Sequence, residues 1–198
     1  MNADVVGAIQ RWAGELDGVF TLADLRVALG DRTDAALYKR LNSLVEAGIL
    51  IKVKRGIYAT PEASLSTISN RIEPAAYIST GTILAQCAVI GSIPARKIQA
   101  IKRGRPRTYL CKLGTIEHLS LSPRLYFGFE PVEGVLCATP EKAFLDVCYY
   151  AYRGKRFSFD PESDVNTTDL KREIVFGYLG KYDKRFLGYF NRIWGDRW

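Results

Sequence analysis

The sequence predicts an α+β chain, and three features predict it. Residues 1–60 hold three segments with helical apolar spacing, followed by two short strand-like runs around a glycine. Residues 96–138 carry apolar residues at period two, the spacing of half-buried strands. The segment from Thr139 opens with a helix start signal and continues as a long apolar-striped helix.

In the first segment, ADVVGAIQRWA, Val5, Val6, Ile9 and Trp12 fall on one helix face. In FTLADLRVALG, Thr21 caps a short helix and Phe20 staples its entry. Leu22, Leu25 and Leu29 form its apolar face, and Gly30 ends it. The third helix is RTDAALYKRLNSLVEAG, with Thr33 as N-cap, Gly48 as stop, and Leu37, Leu41, Leu44 and Val45 facing the core. ILIKVKRGIYAT then reads as a hairpin whose tip is Lys54, Arg55 and Gly56, the glycine supplying the positive φ a tight turn needs. Three helices followed by a basic hairpin is the order of a winged helix-turn-helix, which presents its third helix to the major groove of duplex DNA.

On that helix the face opposite the leucines shows Arg32, Thr33, Ala36, Lys39, Arg40 and Ser43, and the hairpin adds Lys54 and Arg55. These side chains reach base edges and phosphates, and the small ones allow close approach. Residues 1–60 hold eight Lys/Arg against seven Asp/Glu, so their net charge is only +1. Five of the seven acids precede the third-helix segment, and six of the eight bases lie in that segment and the hairpin, the segregation that groove docking requires.

Residues 61–198 are expected to form a second, mixed domain of helices on a small, mostly antiparallel sheet. A helix starts within PEASLSTIS and runs to about Arg71. Tyr77-Ile78-Ser79 is an extended entry to a helix capped by Thr80 or Ser79, with Ile83, Leu84, Cys87 and Ala88 inward. Ile98 and Ala100, then Tyr109, Cys111 and Leu113, follow strand periodicity. In ATPEKAFLDVCYYAYRG, Thr139 is the N-cap, Pro140 sits at N1, and Glu141 lies in the first turn, where the helix dipole favours an acid. Phe144, Val147, Cys148 and Ala151 make the buried stripe. The C-terminal stretch interleaves bases with aromatics, a pattern that suits stacking on single-stranded nucleic acid but more often packs its rings inward.

KRGRPR, residues 102–107, is similar to an AT-hook, a flexible arm for narrow minor grooves. Its flanks RKIQAI and TYLCKL are strand-like, so Gly104 and Pro106 read as turn residues of a hairpin. Arg96, Lys97, Lys102, Arg103, Arg105 and Arg107 are six bases within twelve residues without an acid, a second basic surface for DNA or an acidic partner.

The 198 residues, 47% hydrophobic, suffice for one medium domain or two small ones, and the net charge of +7 suits a polyanionic partner. Cys87, Cys111, Cys137 and Cys148 show no metal-ligand spacing, and His118 is the single histidine, so a metal site is not expected. The thiols read as buried apolar residues of a reducing compartment. Glu141 and Asp146 are five residues apart, about 140° around a helix, and so do not converge as a catalytic pair. Neither catalysis nor a cofactor is expected. No signal peptide is recognised at MNADVVGAIQRW, and no apolar run approaches the roughly 20 residues that cross a bilayer. A cytoplasmic protein without membrane contact is expected.

The sequence of segments resembles the AbiE-type antitoxins of type IV toxin–antitoxin systems. The motif that carries most of this is Ala138-Thr139-Pro140-Glu141-Lys142-Ala143-Phe144-Leu145-Asp146, similar to the family's A-(S/T)-P-E-K-A-hydrophobic-hydrophobic-D helix start. Tyr77-Ile78-Ser79 before an apolar helix and the YFGFE segment fit it too. The resemblance implies a winged helix that represses its own operon at inverted repeats in promoter DNA. It also implies a C-terminal domain that counteracts a nucleotidyltransferase-like toxin, with no stable complex required, and no enzymatic activity of its own. A stand-alone winged-helix transcriptional regulator, with a sensing or dimerising second domain, is the alternative the residues leave open.

Overall fold

A computed structural model describes residues 3–197. The fold is α+β, as expected, and falls into two compact units. The first comprises residues 1–74 with 108–116; the second comprises 75–107 with 117–198.

The first unit opens with α1 (Ala3–Glu15), followed by β1 (Val19–Thr21), α2 (Leu22–Leu29), α3 (Asp34–Glu46), β2 (Ile51–Lys54), β3 (Ile57–Ala59) and α4 (Leu65–Ile72). Each boundary has a local cause. Thr21 and Asp24 form a reciprocal capping box at the start of α2, satisfying donors the first helical turn leaves free. Gly30 ends α2 in the left-handed conformation, φ 66°, at little steric cost. Thr33 caps α3 by accepting from the Ala36 N–H. The leucine stripe of α3, Leu37, Leu41 and Leu44, closes on Ile9, Phe20, Leu25 and Tyr58 to form one core. Burying one such side chain contributes about 1.5–3 kcal/mol.

Three strands pair antiparallel in the order β1-β3-β2. The hairpin expected from the sequence is β2–β3. Val19–Thr21 is a third strand on β3, three residues long and so too short to show a period. The β2–β3 register shifts between Lys52 and Lys54, a bulge next to the Arg55-Gly56 turn. Helix α4 packs against β1 and β3 through the buried Ile68.

The second unit is built from β4 (Tyr77–Ile78), α5 (Gly81–Gln86), β5 (Lys97–Lys102), β6 (Arg107–Cys111), β7 (Gly114–Ser120), β8 (Phe129–Val132), β9 (Val135–Ala138), α6 (Pro140–Tyr152), α7 (Arg172–Leu179) and α8 (Lys184–Trp194), with most of β6 and the start of β7 falling in the first unit. The sheet order is β6-β7-β5-β4-β9-β8. Antiparallel pairs join β4 to β5 and β8 to β9, while β4 and β9 run parallel. Helix α6 starts at Thr139, whose hydroxyl accepts from the Lys142 N–H at 3.2 Å. It packs against α5, α7, α8 and β9. The aromatics of α8 that bury, Phe186, Phe190 and Trp194, fall on one face, so the inward packing expected of this stretch is what forms.

Four expectations are corrected. Residues 102–107 do not turn a hairpin, because β7 lies between β5 and β6 in the sheet. Strand β5 does not alternate: Ile98, Gln99, Ala100 and Ile101 are all buried, as in a strand covered on both faces. Helix α5 ends at Gln86, and Cys87 and Ala88 are exposed in the turn after it, with Ala88 at φ 55°. The chain re-enters the core only at Val89 and Ile90. Of the four thiols, only Cys148 is buried; Cys111 and Cys137 are half-buried.

Candidate nucleic-acid interface

Helix α3 separates two chemistries around its axis. Positions 37, 41 and 44 are fully buried leucines, and positions 36, 39 and 43 on the other side are exposed. Ala36, Lys39, Arg40 and Ser43 follow the i, i+3, i+4, i+7 spacing that puts side chains on one face. Arg32 and Thr33, at the turn before the helix, are exposed as well.

The side chains of this face differ in how far they are already engaged. Lys39 and Arg32 make no ion pair among the described residues. Thr33 is occupied as the cap, 3.3 Å from the Ala36 N–H. Ser43 donates to the Lys39 carbonyl at 3.3 Å. Arg40 is half-buried and tied back into the turn: one guanidinium nitrogen lies 3.1 Å from Asp31 Oδ1 and the other donates to the Leu29 carbonyl at 3.2 Å. Asp31 is itself buried. An Arg26–Asp34 ion pair joins the last turn of α2 to the first turn of α3. Together these contacts fix the α2–α3 turn and hence the direction of α3.

At the wing, Gly56 adopts φ 83°, which a side-chain-bearing residue adopts only with strain. Arg55 is exposed beside it, and the half-buried Lys54 donates to the Arg55 carbonyl at 3.4 Å. Behind α2, Asp24 accepts from the Thr21 N–H at 2.8 Å and from Arg71 at 2.5 Å. Burial raises the Asp24 carboxyl, but the Thr21 and Arg71 contacts outweigh it and hold the group below its ordinary value.

Within the second unit, Arg96, Arg103, Arg105 and Arg107 are exposed, while Lys97 and Lys102 are half-buried. Lys97 pairs with Glu117 at 3.1 Å, and Arg103 stacks 4.7 Å above the Tyr126 ring.

The second unit also contains buried polar contacts beyond those expected from the sequence. Lys142 and Asp146 form a fully buried i,i+4 ion pair. Asp146 also accepts from Ser79 Oγ at 2.7 Å and Tyr77 OH at 3.1 Å. Burial pushes the Asp146 carboxyl up and the Lys142 ammonium down, and their pairing opposes both shifts. The signal for this pair in the sequence is the i,i+4 spacing of Lys142 and Asp146. Glu141 accepts from the Lys171 N–H at 3.2 Å, so it ties α6 to the start of α7. A second cluster centres on Glu117, which accepts from Lys155, Gln99 and Lys97. Burial raises this carboxyl, but the three donors outweigh burial and bring it down to about 2.

Among the described residues, no group of three or more His, Cys, Asp or Glu side chains is gathered as metal ligands, and no helix is long and apolar enough to cross a membrane. No curated protein matches the chain. Residues 8–61, from within α1 to just past β3, match the family model described as a transcriptional regulator, AbiEi antitoxin. That segment contains the whole α2–α3 turn, the outward face of α3 and the wing. At its N-terminus the chain thus matches the AbiEi-type antitoxins, a family of transcriptional regulators.

Proposed function

We propose that this chain is the antitoxin of a type IV toxin–antitoxin system. In this reading it represses its own promoter by binding inverted repeats, and it counteracts a nucleotidyltransferase-like toxin. DNA binding is assigned to residues 1–60 and toxin control to residues 61–198. One observation carries the first half: α3 and the turn before it set an exposed face with Arg32 and Lys39, which make no ion pair among the described residues, against a fully buried leucine face.

Docked in a major groove, α3 would bring Arg32, Lys39 and Ser43 toward base edges and phosphates, and Ala36 would permit close approach. Thr33 and Arg40 would act partly as anchors, since each already holds the turn; the outer part of Arg40 remains available to a phosphate. Lys54 and Arg55 on the wing would neutralise the adjacent backbone. The test is fluorescence anisotropy with a duplex from the chain's own upstream region. Binding should weaken steeply with salt and weaken further in Arg32→Ala/Lys39→Ala. Equal affinity for that variant would remove α3 from the interface.

The extent of the family match favours one second reading, because it ends at residue 61. A stand-alone regulator with a sensing or dimerising second domain needs no more than that segment. Co-expression with an adjacent nucleotidyltransferase-like gene separates the two. Rescue of growth supports the antitoxin; repression without rescue supports the regulator.

A further inference from the structure

Two recesses adjoin in the second unit, sharing Ile93, Pro94 and Lys97. The narrower, about 70 Å³, is walled by Phe157 and Phe159 and edged by Gln99, Arg156 and Ser158. The wider, about 360 Å³, is edged by Thr82, Gln86 and Ser92. No acidic side chain lines either one.

The charge there is unbalanced by construction. Glu117 lies 3.1 Å from Lys97 Nζ and 2.5 Å from Lys155 Nζ, so one carboxylate serves two ammonium groups. Arg156, exposed at the rim, makes no ion pair among the described residues. Three cations against one anion leave this cluster two positive charges in excess, and two of its cations, Lys97 and Arg156, line the acid-free recess.

The floor is also held rigidly. Gln99 Nε2 donates to Glu117 at 2.8 Å, and its Oε1 accepts from the Thr80 hydroxyl at 2.6 Å. The Gln99 N–H donates to Thr82 Oγ1 at 2.9 Å. Thr80 is fully buried at φ 55°, a backbone conformation that a β-branched residue adopts only under strain. Such strain concentrates where a surrounding network fixes a binding site. The Phe157 and Phe159 rings, 5.3 Å apart and tilted 36°, offer flat apolar surface beside these cations.

Anionic groups seek incompletely neutralised cations, and planar rings seek aromatic walls. A water needs about 10–15 Å³, so the narrow lobe holds about five such positions, the scale of one six-membered ring. We propose that this two-lobed recess binds a nucleoside phosphate. Its base lies against Phe157 and Phe159, its phosphate on Lys97 and Arg156, and its sugar toward the wider lobe. The ligand is a free nucleotide or one unit of a single strand.

The test is amide NMR of the full chain titrated with UMP, uridine, inorganic phosphate and a short single-stranded oligonucleotide. UMP should shift resonances of residues 93–99 and 156–159, with affinity about tenfold above that of uridine or phosphate alone. Arg156→Ala and Phe157→Ala should each weaken UMP about tenfold, while Arg124→Ala, at an exposed arginine that lines neither recess, should leave it unchanged. Competition between the oligonucleotide and UMP would assign the ligand to a strand; its failure to compete would assign a free nucleotide. The proposal is overturned if phosphate binds as well as UMP, if UMP shifts neither segment, or if both recess variants bind UMP like the unaltered chain.

Discussion

Lys39 and Arg40 are adjacent basic residues on α3, yet they belong to different jobs. Lys39 projects without an ion pair among the described residues, whereas Arg40 satisfies a buried carboxylate and a backbone carbonyl. Lys39→Ala should therefore leave stability within about 0.5 kcal/mol, as surface changes usually do, and act on DNA binding. Arg40→Ala strips Asp31 of its partner and should cost about 1–3 kcal/mol of folding stability. Urea unfolding of the two variants checks this; equal stability would mean that the Asp31 contact contributes nothing. The same logic applies to Asp146 in the second unit. Asp146→Ala leaves the Lys142 ammonium buried without its carboxylate and should cost about 3–5 kcal/mol. Lys142→Met/Asp146→Leu, which removes both charges, should cost less than that single change, and the same unfolding measurement decides it.

At the scale of elements, the helix ends were the most legible part of the sequence. Thr21, Gly30, Thr33 and Thr139 announce boundaries because capping is local chemistry between residues three apart. Strand partners were less legible, since pairing is decided by distant residues. The KRGRPR stretch has strand on either side, but nothing in it tells that β7 comes between. Strand β1 was hidden because three residues carry no period, and the Glu117 cluster because β5 (Lys97 and Gln99), β7 (Glu117) and the stretch after α6 (Lys155) are distant in sequence. The outward face of α3 was readable for the opposite reason: its periodicity and its charges lie within one helix. The capping box gives a direct check on this scale. Thr21→Ala removes the cap and one of the contacts holding Asp24, and should cost about 0.5–2 kcal/mol. A thermal midpoint unchanged from that of the unaltered chain would show that β1 and Arg71 hold α2 without it.

At the scale of the whole molecule, electrostatics sets both the response to acid and the choice of partner. Glu117 titrates at about 2 in the folded chain, below its ordinary value of 4.5. A depressed carboxyl stabilises the folded state fully above its unfolded value and loses that contribution as pH falls through the folded one. The contribution from Glu117 is thus complete above about pH 4.5 and fades toward about pH 2. Glu117→Gln should lower the thermal midpoint near pH 6 and flatten its decline on acidification; an unaltered decline would contradict the assignment. The overall charge of +7 suits a polyanion, but residues 1–60 carry only +1, so the arrangement of charge matters more than its sum. Asp31 and Asp34 hold the α2–α3 turn, while Arg32, Lys39 and Arg55, which make no ion pair among the described residues, lie before α3, on its outward face and at the wing. The most direct measurement of that arrangement is the salt dependence of affinity for duplex promoter DNA, compared between the unaltered chain and Lys39→Ala. A steep fall in affinity with salt is expected. If Lys39 contacts a phosphate, the variant should be weaker by a similar factor on every sequence and its salt slope shallower by about one; if it reads a base, the loss should be about 1–3 kcal/mol on the cognate site. The same affinity and the same slope for both proteins would contradict a DNA contact by Lys39.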